Sequence, residues 1–490
     1  MMIDYKKKLN TSREVYPIND IDNSVESDRG RIISTPAFRR LQKRTQVFPL
    51  ELNAAVRSRL THSIEVQQNS RYIAKTILDE IKKQGNLEKY NLDSLENAFV
   101  SISEMSSLLH DIGNPPFGHF AELSINNWMK NDGIACLEKL YPNINEDNIE
   151  IKKELVRDIT NFDGNAQAIR IIKYLQRLNL SYSQIASVLK YTRGAFEEKP
   201  ESSDNLNYLK KKPGFYYSEK DFVKKVCESL EIEKGCRFPL TYIMEAADDI
   251  SYLTADIEDA VDKGVFTLDD LYIYVLKECK QVNEKYEKDE TFLLDLIKRY
   301  YNKAKEQEDE PYQFNLFLTL TRASLINNLV KYVAKVYLTN HQEIFDGTFN
   351  KALLDFDKTN KYSLAIEVLQ NISIKYIYNN KEKQALELKG HAILHGLLNC
   401  YKPILELSSE DFLKLVCKKR IDCFVSARLI GRLSSKHIVA YSKAIEELNK
   451  DDEQRFNLLE WYYRARLIVD YISGMTDDFA LDEYRTLSAI

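Results

Sequence analysis

Leu108-Leu109-His110-Asp111-Ile112-Gly113-Asn114-Pro115-Pro116-Phe117-Gly118-His119-Phe120-Ala121-Glu122 is the stretch on which the fold turns. Leading into it, Ile102, Met105, Leu108, Leu109 and Ile112 recur at the three-and-four spacing of a buried face, which predicts a helix over 97–112. Gly113 reads as its stop. Pro115 and Pro116 enforce a turn, because each fixes φ and lacks an N–H. His119 and Glu122 follow three residues apart, on neighbouring turns of a restarted helix. Taken alone, a His-Asp pair at a helix end is compatible with a cap or a hydrogen-bonded structural pair. Two imidazoles and two carboxylates around one rigid bend also suit a metal site with an acid–base pair beside it, and the rest of the chain decides between these readings.

The chain has 490 residues, enough for an ample core. Gly (15) and Pro (11) are scarce, helical spacing dominates and strand-like alternation is rare, so the expected fold class is all-α. Formal net charge is −5, which excludes a global basic field for nucleic acid. The seven cysteines (Cys136, Cys227, Cys236, Cys279, Cys400, Cys417, Cys423) form no paired C-x-x-C motif and read as reduced thiols of a cytoplasmic protein. The segment from Met1 to Asn10 has three lysines but no apolar stretch after them, so it does not read as a signal peptide. No apolar run of about 18 residues exists, and no membrane span is expected.

In order along the chain, residues 1–28 are polar and read as an N-terminal arm with little structure of its own. Residues 29–59 then carry Arg29, Arg31, Arg39, Arg40, Lys43, Arg44, Arg57 and Arg59 against one acid, Glu51. This excess reads as an anion site, with Arg forks suited to phosphate, or as a solvated or subunit-contact surface. A helix from Ser58 to about Glu80 carries His62 near its start. Residues 131–155 look like a polar excursion and 194–214 like a long polar loop. A helix over 238–262 buries Ile243, Ala246, Ile250, Leu253 and Ile257, and at about 100° per residue Asp248, Tyr252 and Asp256 share the opposite stripe. His391 and His395 lack the glutamate of a zinc-protease motif and read as structural.

His62, His110, Asp111 and Asp248 come from three predicted helices that a bundle could converge. Two imidazoles and two carboxylates suit Mn²⁺, Fe²⁺, Co²⁺ or Mg²⁺ better than a thiolate-type zinc site. Such an ion polarises a phosphoryl oxygen and lowers the pKa of bound water. His119 and Glu122 are close enough in sequence to be its acid–base partners.

This order of motifs resembles the HD-domain metal-dependent phosphohydrolases, and within them the deoxyguanosine triphosphate triphosphohydrolases. The resemblance rests on Phe38-Arg39-Arg40-Leu41 with Thr45-Gln46-Val47-Phe48-Pro49, Arg59-Leu60-Thr61-His62-Ser63, the run from His110 to His119, Gly164-Asn165-Ala166-Gln167, Lys212-Pro213-Gly214-Phe215-Tyr216 and Glu245-Ala246-Ala247-Asp248-Asp249-Ile250-Ser251-Tyr252. It implies an HD-domain core at 29–262. A helical C-terminal region at 263–490 would contribute to base recognition and oligomerisation. It implies hydrolysis of dGTP to deoxyguanosine and inorganic triphosphate, by water attack at the α-phosphorus. By the same match His62, His110, Asp111 and Asp248 would hold the metal, and His119 with Glu122 would handle the proton. Arg59 would contact phosphate, Lys212 and Tyr216 would belong to the phosphate-side loop, and Asn165 would bind substrate. Gln46 and Asp256 would bind the 3′-hydroxyl, Tyr252 would pack where a ribose 2′-hydroxyl would clash, and Glu387 and Arg420 would read guanine. The resemblance further implies a homo-oligomer, commonly a hexamer, and single-stranded DNA as a possible regulator. A broader dNTP triphosphohydrolase, a nucleotidase or phosphodiesterase of the same superfamily, and a degenerate binding module stay open as alternatives.

Overall fold

Every residue from Ala98 to Leu109 is buried, so the helix Glu96–Leu109 is the centre about which the others pack. The computed structural model describes all residues except Met1, Met2, Leu52, Ala54, Phe356, Lys358 and Ile490, and for His119 only the backbone. Against the central helix lie Ile21–Ser34, Arg59–Lys83 and Pro239–Asp262. Each starts for a local reason. Asp20 and Ser58 accept N–H bonds as N-caps, Ser58 in a reciprocal capping box with Thr61, and Pro239 occupies a first-turn position where its missing N–H costs nothing.

The fold is all-α, as expected. Among the described residues the strand content is one short parallel pair, Arg193–Gly194 with Pro213–Phe215. That pair straddles the two ends of the stretch 194–214 expected as a long polar loop and ties them together. The excursion expected at 131–155 is also structured. It forms the helices Ile134–Leu140 and Glu146–Ile159, and Ile151, Leu155 and Ile159 point into the core. The polar composition there reflects only the outer faces.

The apolar interior falls into two clusters. One joins residues from the first 112 positions to 168–377; the other joins 117–166 to the C-terminal helices from 393 to 480. The central Pro-Pro bend lies between them. The described residues from Ile3 to Asp28 are no loose arm: Tyr5 is fully buried and its hydroxyl bonds Tyr337 and His341, 2.8 and 2.9 Å away. Their polar composition hid a few anchoring residues. No described helix is long and apolar enough to cross a membrane.

The bend itself is held by close backbone approach. The central helix ends at Leu109, three residues before the expected end, and Gly113 is not a left-handed cap. A Cβ on Gly113 would lie 2.0 Å from the Gly164 carbonyl and 2.4 Å from the Ala168 nitrogen, so glycine is required for the helix Gly164–Arg170 to butt against the bend. The left-handed residues are Phe117 and Gly118, with φ of 64° and 72°, immediately before the helix His119–Trp128.

Candidate functional site

His62, His110 and Asp248 present donor atoms that all lie within 4.8 Å of one another. His62 Nε2 is 3.2 Å and His110 Nε2 3.5 Å from the same oxygen, Asp248 Oδ1. His110 Nδ1 lies 2.6 Å from the Ser107 carbonyl, the partner that fixes a donor N–H there and leaves the Nε2 lone pair facing the cluster. That Nε2 is buried and has no hydrogen bond. A buried ring nitrogen that faces two carboxylates without a hydrogen bond is a position that a cation can take.

The electrostatics agree. Burial alone would push the His110 imidazole down, but the carboxylates of Asp111 and Asp248 overcome it and hold it up at about 9. Burial opposes ionisation of Asp248, yet the two histidines and Lys190 hold its carboxyl well below the usual range. A field that favours a proton on His110 favours a divalent cation in its place.

Asp111, the fourth expected ligand, stands at the edge of this cluster. Asn114 donates to its Oδ1 and Arg59 to its Oδ2, both at 2.5 Å, while His110 Nε2 is 3.6 Å away. Burial would raise the Asp111 carboxyl, but chiefly Arg59, with His110, brings it down to about 2.

Across the bend, Glu122 is buried and accepts the Gly164 N–H at 2.9 Å. It lines a cleft of about 670 Å³ together with Asp163, Arg157, Arg193, Lys199, Lys211 and Lys212. Lys212 Nζ is 3.6 Å from Asp163, and Asn165 donates to the same carboxylate at 2.7 Å. Tyr216 is not on the cleft surface: it is fully buried under the Arg466 guanidinium, and its hydroxyl is committed to the backbone of Asp163. The side chain of His119 lies outside the described residues; its backbone opens the helix that carries Glu122.

Further along the Pro239–Asp262 helix, Tyr252 and Asp256 meet a residue from the C-terminal region, Tyr378. Its hydroxyl is 2.5 Å from that of Tyr252 and bonds Asp256 Oδ2. Burial pushes the Asp256 carboxyl up to about 7, against the Tyr378 hydrogen bond. Asp256 Oδ1 and Gln46 Oε1 are both buried without a partner. Glu387 is paired with Lys383 at 2.7 Å. Arg420 is exposed in the turn after Ser409–Val416, and among the described residues no hydrogen bond or ion pair ties it to the cluster.

The basic segment 29–59 is largely turned inward. Arg29 pairs with Glu104, Arg57 with Glu65, Glu258 and Asp259, and Arg44 donates to the carbonyls of Asn114, Ser473 and Met475. Among the described residues of the segment, Arg59 is the one whose side chain bonds Asp111 at the edge of the cluster.

Three residues escaped the sequence reading. Lys190 Nζ lies 3.6 Å from Asp248 and 3.9 Å from Glu245, whose charges overcome burial and keep it firmly protonated. It follows the helix Tyr182–Val188 as a single lysine, with no pattern to mark it. Asn114 was inside the quoted motif but was assigned no role. Tyr378 ends the π-helix Ser373–Tyr378, an irregular turn of the kind found at functional sites, which periodicity does not reveal.

A helical bundle that brings His62, His110 and Asp248 together, with Asp111 at the edge of the cluster, defines an HD-domain phosphohydrolase. A profile of the HD domain matches residues 59–187, and one of the phosphohydrolase-associated domain matches 427–486. Over 509 aligned residues the chain is 42% identical to proteins named deoxyguanosinetriphosphate triphosphohydrolase from Salmonella paratyphi A, Salmonella typhi and Salmonella typhimurium strain LT2, covering 100% of this chain and 99% of each relative. The chain belongs to the deoxyguanosinetriphosphate triphosphohydrolase family and is a hydrolase.

Proposed function

We propose that the protein hydrolyses dGTP to deoxyguanosine and inorganic triphosphate, with a divalent metal held by His62, His110 and Asp248 and completed by Asp111. The observation that carries this reading is the unpartnered, buried Nε2 of His110 within the three-residue cluster. Mn²⁺ or Mg²⁺ suits this donor set, with Co²⁺ and Fe²⁺ as further candidates. When bound, the ion supplies charge to a phosphoryl oxygen and acidity to a water.

The chain's own residues supply the rest. The Gly164 N–H fixes Glu122 facing the cleft, where with His119 it moves a proton at the water or at the departing 5′-oxygen. Arg59 serves the phosphates and, without substrate, holds Asp111. Lys190 and Lys212, with Asn165, extend the positive lining over the triphosphate. Tyr216 supports this wall from behind through Asp163. Gln46 and Asp256 take the sugar 3′-hydroxyl, and Tyr252 crowds the 2′ position, where an added hydroxyl would be left unpaired.

The division of labour follows: 29–262 carries the chemistry and 263–490 covers the sugar and base. Exposed Leu123, Leu388, Phe424 and Val425 support a homo-oligomer, read as a hexamer. A DNA contact draws no support from segment 29–59, whose arginines are mostly paired within the chain. Seven free thiols support a cytoplasmic location. One observation favours a looser base pocket, and with it broad dNTP hydrolysis: Glu387 is already paired with Lys383, and Arg420 is exposed.

The test is to incubate the protein with Mn²⁺ or Mg²⁺ and each of the four dNTPs, GTP and dGMP, and to identify both products by ion-exchange chromatography. Tripolyphosphate with deoxyguanosine is expected. Pyrophosphate with dGMP, or phosphate from dGMP, sinks the reading, and equal rates on all four dNTPs select the broad enzyme.

A further inference from the structure

Tyr252, Tyr378 and Asp256 form a chain of hydroxyls ending on a carboxylate. Tyr378 has one phenolic hydrogen and two oxygen partners. An ionised carboxylate only accepts, so Tyr378 donates its hydrogen to Asp256 Oδ2, with the Tyr252 oxygen as its other acceptor. Asp256 is held by one oxygen only, and its other oxygen, Oδ1, is buried without a donor.

Asp256 is itself about 1% exposed, and an ionised oxygen left unpaired at that depth is costly. A donor from outside the chain is therefore expected there. Tyr252 and Asp256 lie one and two turns beyond Asp248 on the same helix, roughly 6 and 12 Å along its axis. A nucleotide whose phosphate meets Asp248 lays its sugar along these two residues. The Tyr378 ring, stacked on Tyr252 with centroids 6.5 Å apart and covered by Lys383 at 4.4 Å, has little freedom to leave.

We propose that Tyr378 is a positioning residue for the sugar. By holding Asp256 Oδ2 it keeps Oδ1 aimed at the 3′-hydroxyl, and so it sets the preference for nucleotides that carry a 3′-hydroxyl over those that lack one. The inference rests on the proposed sugar subsite and adds to it a residue from the C-terminal region.

The test compares kcat/KM for dGTP and for 2′,3′-dideoxy-GTP at pH 8 with Mn²⁺, where Asp256 is ionised. The native chain prefers dGTP. In Tyr378→Phe the preference narrows by about tenfold, the worth of one hydrogen bond to a charged group. The loss falls on KM for dGTP, with the dideoxy substrate little changed. Placed in an Asp256→Asn background, the same change leaves the ratio where Asp256→Asn put it. Tyr252→Phe, which spares the Tyr378–Asp256 bond, narrows the ratio less. Equal losses on both substrates, or a Tyr252→Phe effect as large as that of Tyr378→Phe, overturn the inference. Native protein that hydrolyses dGTP without preferring it to the dideoxy analogue also overturns it, yet leaves the hydrolase reading intact. No turnover of either substrate removes both.

Discussion

Gly113→Ala puts the contact between the His110-Asp111 turn and the Gly164–Arg170 helix to the test. The added Cβ would sit 2.0 Å from the Gly164 oxygen, 2.4 Å from the Ala168 nitrogen and 2.9 Å from the Gln167 carbonyl carbon. All three are backbone atoms, so no side chain can rotate out of the way and the helix must move. Overpacking of this kind costs about 1–3 kcal/mol. The rigidity of the obstacle places this case near the upper end, a fall in Tm of roughly 3 °C. Displacement of the helix also moves Gly164, whose N–H holds Glu122. A shift of about 1 Å there is enough to lower kcat by about 10²-fold. Gly30→Ala is the matched control. It lies within the helix Ile21–Ser34 with nothing within 4 Å of the new Cβ, so it should stabilise by about 0.5–1 kcal/mol and leave turnover unchanged. Scanning calorimetry and dGTP turnover measure both variants. Native-like melting and native kcat in Gly113→Ala would refute the close-contact argument.

His110→Ala should abolish turnover and also the rise in Tm that Mn²⁺ gives the native chain; a retained Mn²⁺-dependent rise would exclude His110 as a ligand. Lys190→Met should raise KM for dGTP by about tenfold or more, since it deletes a buried charge facing Asp248, and unchanged KM would remove Lys190 from the phosphate lining. Glu219 gives a pH prediction. Burial pushes its carboxyl up to about 7 despite Arg170 and Ser218, so the native state binds a proton that the unfolded chain has released. Its contribution is complete below the unfolded pKa of about 4.3 and is lost as pH rises towards 7, up to about 3 kcal/mol. Denaturation of Glu219→Gln should therefore show a variant-minus-native stability that climbs between pH 4.5 and 7.5; a flat difference contradicts the raised pKa.

What the sequence revealed and what it hid divide along one physical line. The helices around His62, His110 and Asp248 were legible because each buries a face, and burial imposes a 3.6-residue period on the side chains. The candidate metal donors were legible because His62, the His110-Asp111 pair and Asp248 lie on three separate predicted helices in an order that resembles a known family. The destination of the arginines was not legible. Arg44, Arg57 and Arg59 sit within sixteen residues of each other, yet one reaches the backbone of Met475, one Asp259 and one Asp111. Their partners are decided by tertiary contacts, and a local charge count cannot distinguish an anion site from two internally paired arginines and a third bound to backbone carbonyls. The same limit hid Tyr378, which reaches Asp256 across 122 residues of chain. Residues that build a site by packing announce themselves through periodicity, whereas those that tune it through single long-range hydrogen bonds have no periodicity to announce. On the proposed reading, the finer specificity of this hydrolase lies in the part of the molecule whose sequence says least about it.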